Sequence, residues 1–223
     1  MFKVVTMYTN RLRQLRGFYQ NILEIAIEES EENYFQMKIG ESILKFVETE
    51  EDTLYHFAIN IPGNQYVLAK HWVKEKISLN REAGLEDIYY ARFDADAFYF
   101  EDPAGNVIEF IGRRHADLWS DFTTQSFLNI SEVSITTPYV QQVGDALQDI
   151  GILISGNYQI EQDSLNFLGN KDAYILLVPP QRRWYFSKQM SKTSRVDMEL
   201  ESGYHLSVSK EGRIHIKKSN EDK

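Results

Sequence analysis

Two periods alternate along this chain. "KVVTMYT" (3–9) is β-branched and aromatic and reads as a strand. Asn10 can cap the segment that follows, where Leu12, Leu15, Tyr19 and Ile22 recur at the spacing of an amphipathic helix. "NYFQMKIG" and "SILKFVET" read as two strands about the Gly40-Glu41 turn, and the acidic run Glu28–Glu32 before them reads as a solvated loop. "LYHFAINIP" (54–62) is another strand, stopped by Pro62-Gly63. Asn64 opens a second helix with Leu68, Ala69, Trp72, Val73 and Ile77 on one stripe and His71 off it. "IYYARF", "AFYF" and "VIEFIG" then read as strands, with an Asp-Pro-x-Gly turn before the last.

The first 115 residues thus spell strand, helix and a run of strands, and then nearly the same again. Two such units can share one sheet curved around a cleft, with helices outside. After a polar connection the order starts again: "FLNISEVSITTP" as strand, a helix with Val140, Val143, Leu147 and Ile150 on one face and Gly151 as its stop, then "LNFLGN" and "AYILLVP". "PPQRRWYFSKQMSKTSRVD" has no clear period, and "GYHLSVSKEGRIHIKK" reads as a hairpin about Glu211-Gly212. The fourth unit has lost its helix. The expected fold is α+β: paired βαβββ modules in a curved mixed sheet around a cleft, with a partial second copy. The expected division is 1–115, a connection at 116–127, a degenerate second copy at 128–218, and a frayed tail at 219–223.

Composition narrows the function. At 223 residues with 43 % hydrophobic and 13 % aromatic residues the chain can pack a core. It has no cysteine, which excludes disulfides, thiolate metal sites and a cysteine nucleophile. A net charge of −9 argues against a nucleic-acid surface. The N-terminus lacks the apolar run of a signal peptide, and nothing approaches membrane-spanning length. The expectation is a soluble cytoplasmic protein, homodimeric, with a small-molecule ligand or substrate and neither nucleic-acid nor membrane partner.

One residue departs from the pattern. Glu109 sits inside the apolar run Val107-Ile108-Glu109-Phe110-Ile111, where an unneutralised carboxylate is costly. The string from Tyr99 to Glu109, Tyr-Phe-x-Asp-Pro-x-Gly-Asn-x-x-Glu, together with "LYHFAINIP", resembles the vicinal oxygen chelate superfamily of glyoxalases, bleomycin- and fosfomycin-resistance proteins and extradiol dioxygenases. The resemblance implies a divalent metal (Fe, Mn, Zn or Ni) held in the cleft by His56 and Glu109, with Glu109 also catalytic, in a glyoxalase- or dioxygenase-like enzyme acting on a small oxygenated metabolite. The remaining ligand positions fall on Val4 or Lys3 and on Lys45, which are not usual ligands. They leave open a second reading: a bleomycin-resistance-like protein that sequesters a ligand without catalysis.

Each residue also has a plainer reading. His56 can be a hydrogen-bonded core histidine, Glu109 a salt-bridge partner of Lys45, and Tyr99 core packing. Tyr99, Lys45 and Arg92 are the candidate substrate-facing residues. Glu132 stands at the first-strand position of the third unit and leaves open, with His205, a degenerate second cleft, but the missing helix and the absence of a second Asp-Pro-x-Gly-Asn turn favour a structural or dimerising half. Arg182-Arg183-Trp184 reads as a loop, open to a partner contact or to plain exposure.

Overall fold

The computed structural model describes residues 2–156, 158–170 and 173–219. The tail expected to fray lies outside these, apart from Ser219. Its first unit comprises β1 (Phe2–Thr9), α1 (Leu12–Gly17), β2 (Ile27–Ser30), β3 (Tyr34–Ile39) and β4 (Ser42–Glu48). Its second comprises β5 (His56–Pro62), α2 (Tyr66–Lys74), β6 (Asp87–Tyr90), β7 (Ala95–Glu101) and β8 (Val107–Arg113). The third has β9 (Asn129–Thr136), α3 (Val140–Asp149), β10 (Asn166–Asn170) and β11 (Ala173–Val178). The last has only strands, β12 (Val196–Leu200), β13 (Tyr204–Val208) and β14 (Ile214–Lys218).

Among the described residues these strands form two seven-stranded mixed sheets, ordered β14-β13-β12-β1-β4-β3-β2 and β10-β11-β9-β5-β8-β7-β6. The units are as expected, but their pairing is not. Units one and two do not share a sheet. The second joins the third through antiparallel β5 and β9, and the first joins the fourth through β1 and β12. The reason lies in the connection after β8. It crosses the end of β5, held by Gly63 N–H donating to Ala116 O (2.6 Å) and by the Asn64 and Gln65 amides bonding to Leu118 and Ser120. Leu128 N–H then donates to Asn60 O, which starts β9 on the free edge of β5. Both sheets therefore draw strands from either side of residues 116–127.

Local departures have local causes. The first helix continues past Gly17 as a π-turn, Phe18–Ile22. The wider turn rotates the stripe, so Ile22 is exposed and Leu23 is buried in its place. Asn10 does not cap; the capping position is Arg11, with no side-chain bond. In α2, Ala69 and Val73 are buried but Leu68 is exposed, while His71 lies outside the stripe as expected and pairs with Glu75. Part of the acidic run read as a loop is the edge strand β2, whose Glu28, Glu29 and Ser30 are all exposed. Charged side chains on an edge strand discourage pairing with another chain. Gly151 ends α3 at φ +86°, a conformation that suits glycine.

Candidate metal centre

β5 and β8 are buried along their whole length, which means both faces are covered. On one face Phe57, Ile59, Ile108 and Phe110 join the main core. The other carries His56, Ala58, Glu109 and Ile111 and is closed by a separate apolar cluster that includes Tyr99, Trp184 and Phe186. Between this face and its cover lies a cavity of about 190 Å³.

Three donors meet there. His56 Nε2 lies 3.5 Å from Glu109 Oε2 and 3.9 Å from Glu132 Oε2, and all three side chains are buried. One ligand atom from each lies within 4.8 Å of the others. His56 Nδ1 is 3.0 Å from Val107 O. A carbonyl can only accept, so Nδ1 carries the proton and Nε2 offers a bare lone pair toward the carboxylates. Glu132 reaches this face through a bulge: Ala58 pairs with Glu132 but Ile59 pairs with Ile130, so Ser131 is the extra residue. Burial holds the Glu132 carboxyl well above its usual range, the nearby Glu109 adds to this, and Arg113 opposes it. Two buried carboxylates around a bare imidazole nitrogen are a donor set that fits a divalent cation. With metal–ligand bonds of about 2.1 Å, the three donors need only a small contraction.

Residues 130–182, which include Glu132, match the family described as toxoflavin-degrading enzyme. A point mutant of glyoxalase I from Zea mays superposes with a TM-score of 0.56 at 13% identity, covering 96% of this chain and 90% of that one. A candidate dioxygenase from Bacillus subtilis gives a TM-score of 0.54 at 13% identity, over 79% of this chain and 63% of the other. No curated protein matches in sequence. This is the vicinal oxygen chelate fold.

The vicinal oxygen chelate pairing explains why the ligand set read as incomplete. Val4, Lys3 and Lys45 belong to the other sheet. Lys45 is not the partner of Glu109, nor does it line the cavity; its ammonium lies 3.7 Å from the centre of the Tyr34 ring. The residue paired with Val4 across the units is Glu199, and among the described residues no such group of donors includes it. The third donor comes from the third unit. Glu132 and His205 do not form a second cleft: His205 is on β13, exposed and bonded to Ser219, and Glu132 completes the first cleft. Register also locates an empty ligand position. Val107, opposite His56, is followed two residues on by Glu109. Tyr174, opposite Glu132, is followed two residues on by Leu176, an apolar residue that lines the cavity.

Tyr99 lies opposite Glu109 and lines the cavity, its hydroxyl 2.7 Å from that of Tyr90. Burial raises both phenols well above their ordinary range, so they stay protonated. Arg92 stands behind the wall: it donates to Ser155 O and lies over Phe93 and Tyr158. The cover was not foreseen. The aperiodic segment after Val178 folds over the site, with Trp184 4.8 Å from the His56 ring and Phe186 stacked on Tyr99 at 4.8 Å. Its one signal in the sequence was Trp-Tyr-Phe in a stretch without a period.

Proposed function

We propose that the protein is a metal-dependent enzyme acting on a small, flat, oxygenated molecule. His56, Glu109 and Glu132 are the residues that hold the metal. The observation that carries this reading is the convergence of three buried donors with the His56 Nε2 lone pair left bare. One neutral imidazole and two carboxylates suit a divalent cation such as Mn or Fe, and three protein ligands leave positions for a pair of substrate oxygens. When bound, such a cation supplies Lewis acidity to those oxygens.

The chain's own groups do the rest. The Val107 carbonyl fixes the tautomer and orientation of His56. Tyr99 and Tyr90, kept protonated, donate hydrogen bonds rather than act as bases. We assign proton transfer to the second oxygen of Glu109, Oε1. The aromatic walls, Phe93, Tyr99, Phe167 and Trp184, suit a ring and exclude water. The family match over 130–182 supports a degradative reaction. The residues that favoured sequestration without catalysis, Val4, Lys3 and Lys45, sit in the other sheet and have no bearing on this cavity.

Elemental mass spectrometry of untagged protein tests the reading. One divalent metal per chain is expected in the wild type, after incubation with Mn, Fe, Zn and Ni, and little in His56→Ala or Glu132→Gln. Loss of a direct ligand should weaken binding by roughly 100-fold or more, since loss of a supporting residue alone costs 10–100-fold. A wild type that takes up none of these metals would overturn the proposal.

A further inference from the structure

The wall facing the donors is built with as much care as the donors themselves. Residues 181–191 fold back on themselves through Gln181 N–H to Ser191 O (2.8 Å) and Trp184 N–H to Gln189 O (2.9 Å). Arg183 clasps Glu82 with both of its terminal nitrogens at 2.8 and 2.9 Å, and Ser187 bonds to Glu101 at 2.6 Å. Gln181 and Phe186 hold left-handed backbone at φ +66° and +55°, on either side of Trp184. Non-glycine residues keep such angles only where the surroundings fix them. The clasp therefore sets where Trp184 sits.

That placement leaves one group unsatisfied. Trp184 is 3 % exposed, lines the cavity, and its indole Nε1 has no hydrogen-bond partner. A buried indole N–H ordinarily finds an acceptor. Arg182 lines the same cavity, half-buried. No carboxylate among the described residues pairs with it; its guanidinium donates to the Arg183 carbonyl at 3.3 Å. Both residues thus line a cavity whose two carboxyl groups, Glu109 and Glu132, lie together beside His56.

We infer that Trp184 and Arg182 form a second recognition point, which takes an anionic oxygen of the ligand, such as a carboxylate, while its paired oxygens face His56, Glu109 and Glu132. The inference rests on the metal reading above and adds a specificity determinant to it. A ligand lacking that oxygen leaves the indole N–H unpaired, and sites built to hydrogen-bond a group discriminate against analogues without it.

The test uses the full chain loaded with Mn²⁺ and three probes in isothermal titration: catechol, 2,3-dihydroxybenzoate and 3,4-dihydroxybenzoate. Catechol offers two vicinal oxygens alone, and the acids add a carboxylate at two different distances. In the wild type at least one acid should bind about tenfold more tightly than catechol, the scale of one charge-assisted bond. Trp184→Phe keeps the ring and removes the N–H; Arg182→Gln removes the charge. Each should erase most of that advantage, read as the ratio of acid to catechol affinity within the same variant, and measurable catechol binding reports that the cavity has formed. If catechol binds but neither acid binds better, or the advantage survives in both variants, the second recognition point is wrong and the metal reading stands. If none of the three binds to chain that carries Mn²⁺, the second recognition point is wrong; if the chain takes up no Mn²⁺, the metal reading is overturned and this inference with it.

Discussion

β1 and β5 occupy the same place in their two sheets, yet β5 is buried on both faces and β1 on one. The registers run in parallel. Val4 pairs with Ile43 and Thr6 with Lys45, as His56 pairs with Val107 and Ala58 with Glu109. Asp197 lies opposite Thr6 as Glu132 lies opposite Ala58. Where one sheet carries His, Glu and Glu, the other carries Val, Lys and Asp. In the open sheet those side chains have ordinary surface partners: Lys45 lies on Tyr34, and Asp197 accepts from the Tyr8 hydroxyl and from Arg195. In the covered sheet water is excluded, so two carboxylates and an imidazole are costly unless something cationic joins them. The same scaffold position gathers buried donors only where a cover removes the solvent. The segment between β11 and β12 supplies that cover on one sheet.

The comparison can be broken from the side of the cover. Phe186→Ala removes a buried ring stacked on Tyr99. It should cost about 3–5 kcal/mol in chemical denaturation and open the covered face to solvent, seen as faster amide exchange in β5 and β8. A smaller loss with unchanged exchange would mean that the cover does not protect the face.

A second test concerns the pin between the two regions. Asp102, in the turn before β8, accepts from the Tyr19 hydroxyl at 3.0 Å, and Tyr19 belongs to the first unit. Burial pushes the Asp102 carboxyl up to about 6, against hydrogen bonds from Asn106, Tyr19 and Ala104 that pull it down. Its folded value lies above the unfolded one, near 3.8. Folding therefore takes up a proton between about pH 4 and 6. The stability tied to this group is full below the lower value and is lost as pH rises through the upper. For a shift of about two units that loss is up to about 3 kcal/mol. Asp102→Asn should lower stability at pH 4 and flatten its fall between pH 4 and 6; identical slopes in the two proteins would exclude this role.

Two smaller effects sharpen the comparison. Leu176→Glu places a carboxylate at the vacant register position and should tighten Mn²⁺ binding about tenfold, roughly 1.4 kcal/mol, while reducing turnover by occupying an open position. Lys45→Gln, in the other sheet, should leave Mn²⁺ affinity unchanged within about twofold in the same titration. A large effect of Lys45→Gln would mean that the open sheet contributes to the site.

The contrast between the sheets was partly legible. "HFAINIP" is nearly all apolar and "KVVTMYT" mixes in polar residues, and buried and half-exposed strands differ in just that way. The unit order followed from local pattern, and the pairing of His56 with Glu109 in one cleft from the family resemblance of their strings. The partner of each unit did not, because edge-to-edge pairing is set by the path of 114–128 across the end of β5, and no periodicity encodes it. For that reason nothing in "NISEVSITT" ties its lone carboxylate, Glu132, to the cleft of His56 and Glu109. Trp184 and Arg182 were beyond reach for a related reason: a cover without regular structure is placed by distant contacts such as Arg183 with Glu82.

The central claim is that the second and third units together build one metal centre. Anomalous diffraction from a crystal soaked in Mn²⁺ tests it most directly. A single strong peak is expected, bounded by His56 Nε2 and the carboxylates of Glu109 and Glu132. A peak beside Lys45 and Asp197 in the other sheet, or none at the three donors, would contradict it.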